Sequence, residues 1–111
     1  MSKFIAAYSK LISMKNNLPD YVDVEESWVR QFHECLESIS DILDGQVDEF
    51  KVPESDIKHQ EYQISYNPVQ TELSKDKFCD RSKLMVKIDA VLTYIQLKSP
   101  PEDKKQIGFH A

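Results

Sequence analysis

The stretch DVEESWVRQFHECLESISDILDG, residues 23–45, decides the fold class. At 3.6 residues per turn, Trp28, Phe32, Cys35, Leu36, Ile39, Ile42 and Leu43 fall on one continuous stripe, the mark of a helix with a buried face. Asp23 followed three residues later by Glu26 predicts a capping box, each side chain satisfying the other's orphan backbone N–H. Gly45 stands where a left-handed C-terminal cap is wanted. The expectation is a helix over about 24–43, with Trp28, Phe32 and Cys35 in the core.

Two more segments repeat the pattern. Upstream, Phe4, Ile5, Tyr8, Leu11 and Ile12 mark one face of a helix over about 3–15, and Pro19 restricts Leu18 away from the α region and ends it. Downstream, Leu84, Met85, Ile88, Val91, Leu92 and Ile95 predict a helix over about 76–97 that Ser99-Pro100-Pro101 forbids from continuing. Residues 46–75 are less regular. Val47, Phe50, Val52 and Pro53 look like apolar anchors of a wrapping loop, and Tyr62, Ile64 and Tyr66 alternate as in an extended strand. The fold expected is mainly α, a single helical domain over 1–111. In it, helices two and three pair along their stripes and helix one lies across them. The middle segment wraps this three-helix core and has room for a short strand or hairpin, and 99–111 forms a C-terminal tail.

Composition bounds the function. The chain has 111 residues, 41% hydrophobic and 30% charged, with a formal net charge of −5. Gly45 and Gly108 are its only glycines, so neither a phosphate-binding loop nor a dinucleotide fingerprint can be written into it. A charge run this long with so few turn residues also argues against an all-β sandwich. Two cysteines are too few for a disulfide scaffold, Lys3 and Lys10 interrupt any signal-peptide core, and no run approaches a membrane span. The expected setting is cytoplasmic, with reduced thiols. An acidic pI near 5.1 argues against direct binding to nucleic acid or to an anionic membrane.

Charge is segregated along the chain. Residues 1–19 carry three lysines and no acid, whereas 20–50 hold ten acids against Arg30 alone, a net −9. Residues 51–74 stand at −2 and 75–111 at +3. Glu37 and Asp41 are like charges one turn apart, and Asp41 and Asp44 sit at the negative end of the second helix. Lysines of the other two helices (Lys10, Lys15, Lys77, Lys83, Lys87) lying alongside would compensate this block. A partner with a basic face is the alternative, and it would be met by Glu37, Asp41 and Asp44.

Candidate chemistry is sparse. Cys79-Asp80-Arg81, at the expected start of helix three, reads either as a structural cluster or as a thiol activated by Lys77 and Arg81. His33, His59 and His110 are the only imidazoles available as a base, and nothing in the sequence places one beside Cys79. In the structural reading Asp80 favours the helix N-terminus and Arg81 pins the middle loop. His33 and Glu37 share a helix face at a spacing that metal sites use, but no second His follows. No catalytic, metal or cofactor site is assigned. Ile107-Gly108-Phe109, apolar after a polar spacer, either docks back on the domain or anchors a partner; Ile107 and Phe109 are its candidate contacts.

Phe78-Cys79-Asp80-Arg81, Lys87-Ile88-Asp89-Ala90, Leu92 and Ile107-Gly108-Phe109, with Phe50-Lys51-Val52-Pro53 behind an acidic helix carrying Phe32 and Leu36, resemble small bacterial proteins of similar length without assigned function. The likeness spans residues 22 to 109. It implies a small prokaryotic accessory protein and brings no functional residues with it. The function expected is a non-enzymatic interaction or regulatory subunit of a larger protein assembly, with a protein partner or a second copy. The alternatives are a thiol enzyme or redox sensor centred on Cys79, and an acidic mimic that occupies a nucleic-acid-binding protein.

Overall fold

The computed structural model describes residues 3–67 and 70–102, and for 60–67 and 70–75 the backbone alone. It is mainly helical with a small antiparallel sheet. In chain order the elements are α1 (Lys3–Asn17), β1 (Asp23–Glu25), α2 (Glu26–Ser38), α3 (Val47–Phe50), a 3₁₀ turn (Glu54–Asp56), β2 (Ile57–Asn67), β3 (Gln70–Asp80) and α4 (Arg81–Lys98).

The core is one cluster drawn from every helix. Leu11, Phe32, Leu36, Leu84, Ile88 and Ile95 are wholly inaccessible to solvent, so the three stripes read from the sequence do meet. α4 packs most closely along α1, not along α2 as the stripes alone suggest. Lys15 reaches Asp89 at 2.7 Å and Gln96 donates to the Tyr8 hydroxyl at 3.1 Å, which fixes α1 and α4 as antiparallel neighbours. α1 closes where the Asn17 amide donates back to the Ser13 carbonyl at 2.7 Å, just ahead of Pro19.

The long second helix is shorter than its stripe. Val24 belongs to β1, where it pairs with Cys79 and is buried. Asp23 is therefore a strand residue and forms no capping box; the cap position is Glu25, without a side-chain hydrogen bond. At the other end α2 stops at Ser38, whose hydroxyl donates to the Cys35 carbonyl at 2.6 Å. Ser38, Ile39, Ser40 and Asp41 are consecutive weak helix formers, three of them able to compete for backbone partners. The chain continues in tight three-residue turns, Ile42 N–H to Ile39 and Asp44 N–H to Asp41, and these keep Ile39, Ile42 and Leu43 buried. Asp44 (φ 53°) and Gly45 (φ 77°) end this run in the left-handed region, so Gly45 closes a turn rather than capping α2.

The third helix also starts later than its periodicity, at Arg81, because residues 76–80 complete β3. The sheet order is β1-β3-β2, all antiparallel. β1 covers only Phe78–Asp80, so from Lys77 outward β3 has β2 as its one strand partner among the described residues. The middle segment is thus a hairpin with two eleven-residue arms, not a wrap around the helices. At about 3.3 Å per residue each arm spans about 36 Å, more than either short dimension of the molecule (65 × 25 × 21 Å). The hairpin therefore runs along the long axis and raises the radius of gyration to 17.8 Å, against about 13 Å for a compact chain of this length.

Candidate functional site

Among the described residues, six of the ten acids of the block have a cation of the chain within 4 Å. Asp41 meets Lys3 at 3.2 Å, Asp44 meets Lys98 at 2.7 Å, and Glu37 and Asp48 share Lys51 at 2.8 and 3.3 Å. Glu26 lies 3.7 Å from both Arg30 and Lys77, and Asp23 binds Lys58. The hydrogen bond from Lys3 lowers the Asp41 carboxyl below its ordinary range, and those from Lys98 and then Tyr94 do the same for Asp44. Of the lysines singled out above, only Lys77 reaches the block as an ion pair. Lys15 goes to Asp89 and Lys83 to Asp56, while Lys87 donates to the Glu49 carbonyl. Glu37, Asp41 and Asp44 thus stand exposed, each with an intramolecular cation.

Cys79, Asp80 and Arg81 form the corner between β3 and α4. The Cys79 thiol is fully buried, and burial together with Asp56 and Asp80 pushes its pKa up. That is the reverse of the environment that activates a thiol. Asp80 receives the Lys58 ammonium at 2.7 Å, and Lys58, shared with Asp23, is raised well above its ordinary value by these two carboxylates. The Arg81 N–H donates to the Val22 carbonyl at 2.8 Å and its Nε to the Pro19 carbonyl at 3.0 Å. Arg81 thus ties the chain before β1, and not the middle segment, to the head of α4.

His33 lies half-buried on α2 and accepts the Val52 N–H at Nε2, 3.0 Å away. Burial first, then Lys51, holds its pKa below the usual imidazole value, with Glu37 opposing. This places a neutral ring at a cleft of about 280 Å³ that also receives His59, Glu54 and Arg30. Glu37 is engaged by Lys51 and His33 by the Val52 N–H. Among the described residues no three His, Cys, Asp or Glu side chains gather as metal ligands. Ile107 and Phe109 lie outside the described residues.

A surface the sequence reading passed over is the apolar one. Tyr21, Val22, Val86 and Leu97 are the exposed large hydrophobics, at 73%, 83%, 66% and 62%. Val86, Ala90, Thr93 and Leu97 follow the i, i+4, i+7, i+11 spacing of one helix face, all exposed and none charged. They lie opposite the buried stripe of α4. Its head, beside Tyr21, Val22 and Met85, opens into a shallow pocket of about 600 Å³ that Asp20, Arg81, Ser82 and Asp89 also line. The signal was present in the sequence, because α4 shows apolar residues on both faces where a peripheral helix normally shows charge on the outer one.

No protein-family model matches the chain, and neither curated proteins nor solved structures show a significant match to it. No described helix is long and apolar enough to cross a membrane.

Proposed function

We propose that this protein is a small, non-enzymatic interaction subunit of a larger cytosolic protein assembly. The observation that carries the reading is the uncharged outer face of α4 with Tyr21 and Val22 at its head. Exposed apolar side chains grouped in this way on a small domain favour association, and an aromatic beside aliphatics suits an interface centre. The rest of the surface supports the same reading. Glu37, Asp41 and Asp44 are held by the chain's own lysines, and no buried side-chain nitrogen or oxygen among the described residues lacks a partner.

Size-exclusion chromatography with light scattering, combined with affinity capture from the source cytosol, tests this. Wild-type protein should be larger than a monomer or retain a defined partner, and Leu97→Asp should lose that association while keeping its helical circular dichroism. A strict monomer that captures nothing, or a variant that associates as well as wild type, would refute the proposal.

A further inference from the structure

We infer that the partner seated on this face is a second copy of the chain, packed antiparallel through α4 so that each Leu97 enters the other's pocket beside Val86. The inference rests on the interaction reading above and names its occupant.

The α4 face carries both halves of a self-complementary contact. Leu97 is a 62% exposed knob near the C-terminal end. The pocket lined by Tyr21, Val22, Met85 and Val86, with Asp20, Arg81, Ser82 and Asp89 around them, is an open socket at the N-terminal end. Eleven residues separate Val86 from Leu97, close to three helical turns and about 16 Å, so knob and socket share one side of the helix. A two-fold axis perpendicular to α4 at the level of Val91 and Leu92 places both knobs in both sockets at once. The contact is isologous and closes on itself, giving a dimer rather than a filament.

Between the two knobs the facing residues are Ala90 and Thr93, small enough to let the helices approach closely. Asp89 and Gln96 stay turned to α1, on Lys15 and the Tyr8 hydroxyl, so the uncharged Val86, Ala90, Thr93 and Leu97 meet at the seam. Area agrees. At their stated exposures Tyr21, Val22, Val86 and Leu97 leave on the order of 500 Å² per copy open to water, hence about 1,000 Å² per pair, at the lower bound for a specific interface.

Sedimentation equilibrium on the full chain, from about 1 to 200 μM, reads the association directly. Wild type should pass from monomer to dimer, and Leu97→Asp and Val86→Asp should each raise the dissociation constant at least tenfold. Geometry is read by cross-linking. Mixing chains carrying Val86→Cys with chains carrying Leu97→Cys should give a mixed disulfide dimer, whereas Leu97→Cys alone should not link to itself. Self-linked Leu97→Cys, or a wild-type monomer throughout the range, overturns the inference. If that monomer still captures a partner that Leu97→Asp loses, the dimer fails and the interaction reading stands. If no variant alters either association or capture, both fail.

Discussion

Replacing His33 by Phe keeps a ring of similar size on α2 and removes the acceptor that holds the Val52 N–H. Val52 is 4% exposed, so water cannot readily satisfy the N–H left behind. A neutral hydrogen bond lost in this way costs about 1–2 kcal/mol, which for a domain of this size lowers Tm by about 4–8 °C. The effect also has a pH signature. The His33 pKa is lowered in the folded state from its ordinary 6.5 by burial and then by Lys51, with Glu37 opposing. Between its folded and unfolded values the unfolded chain binds more protons, so stability rises with pH. The contribution is complete above about pH 6.5 and is lost as pH falls toward the folded value. Asp41, Asp44 and Asp80 have lowered pKa values too, but they remain ionised in this window and cancel in the comparison. Urea unfolding at pH 7.5 and 5.5 should therefore show wild type well above His33→Phe at pH 7.5, with the gap narrowing at pH 5.5. Equal stability at pH 7.5, or a gap that widens in acid, would refute the assignment of a neutral, accepting imidazole.

Cutting the hairpin back to Gln60 and Asp76, which face each other in register, and joining them through Asn-Gly should leave a helical protein with a cooperative melt. Loss of cooperativity would show that the outer arms are needed for the core. The Cys79 thiol should resist iodoacetamide at pH 8 in native protein and react in urea; labelling of the native form at the rate of a free thiol would contradict its burial. Gly45→Ala meets no atom within 4 Å but must adopt φ 77°, so it should cost about 1 kcal/mol, read as a lower urea midpoint. An unchanged midpoint would mean that the turn relaxes.

Periodicity was enough to place the helical core, because Phe32, Leu36, Leu84 and Ile88 satisfy the helical repeat and nothing else competes for them. It failed at the joints. Val24 continues the α2 stripe backwards, so the local pattern hides that its backbone pairs with Cys79, 55 residues away. Phe78 and Cys79 are equally ambiguous beside Leu84. Neither position carries a local sign of the cross-strand partner that decides it. A short strand or hairpin is legible in the alternation of Tyr62, Ile64 and Tyr66, but the length of the hairpin is not, because the second arm, Thr71 to Lys77, is polar enough to pass for a loop. At the candidate site the acids were counted correctly and their partners were not. Lys3, Lys51 and Lys98 come from three separate segments, and only the folded chain brings them to Asp41, Glu37 and Asp44.

That internal pairing changes what kind of recognition the chain is suited to. A block of −9 on an open surface would attract a basic partner over long range and make binding steeply dependent on salt. Here Glu26, Glu37, Asp41 and Asp44 already have cations within 4 Å, and exposed pairs of this kind add little to stability individually. The grouped uncharged surface is on α4, where association removes apolar area from water. Raising salt from 0.1 to 1 M shortens the screening length from about 10 to about 3 Å. An α4-mediated association should then change its dissociation constant by less than about threefold. Recognition through Glu37, Asp41 and Asp44 should instead weaken more than tenfold, and reversing their charge should abolish it. A steep loss with salt would return the function to the acidic face, even if Leu97 and Val86 remain exposed.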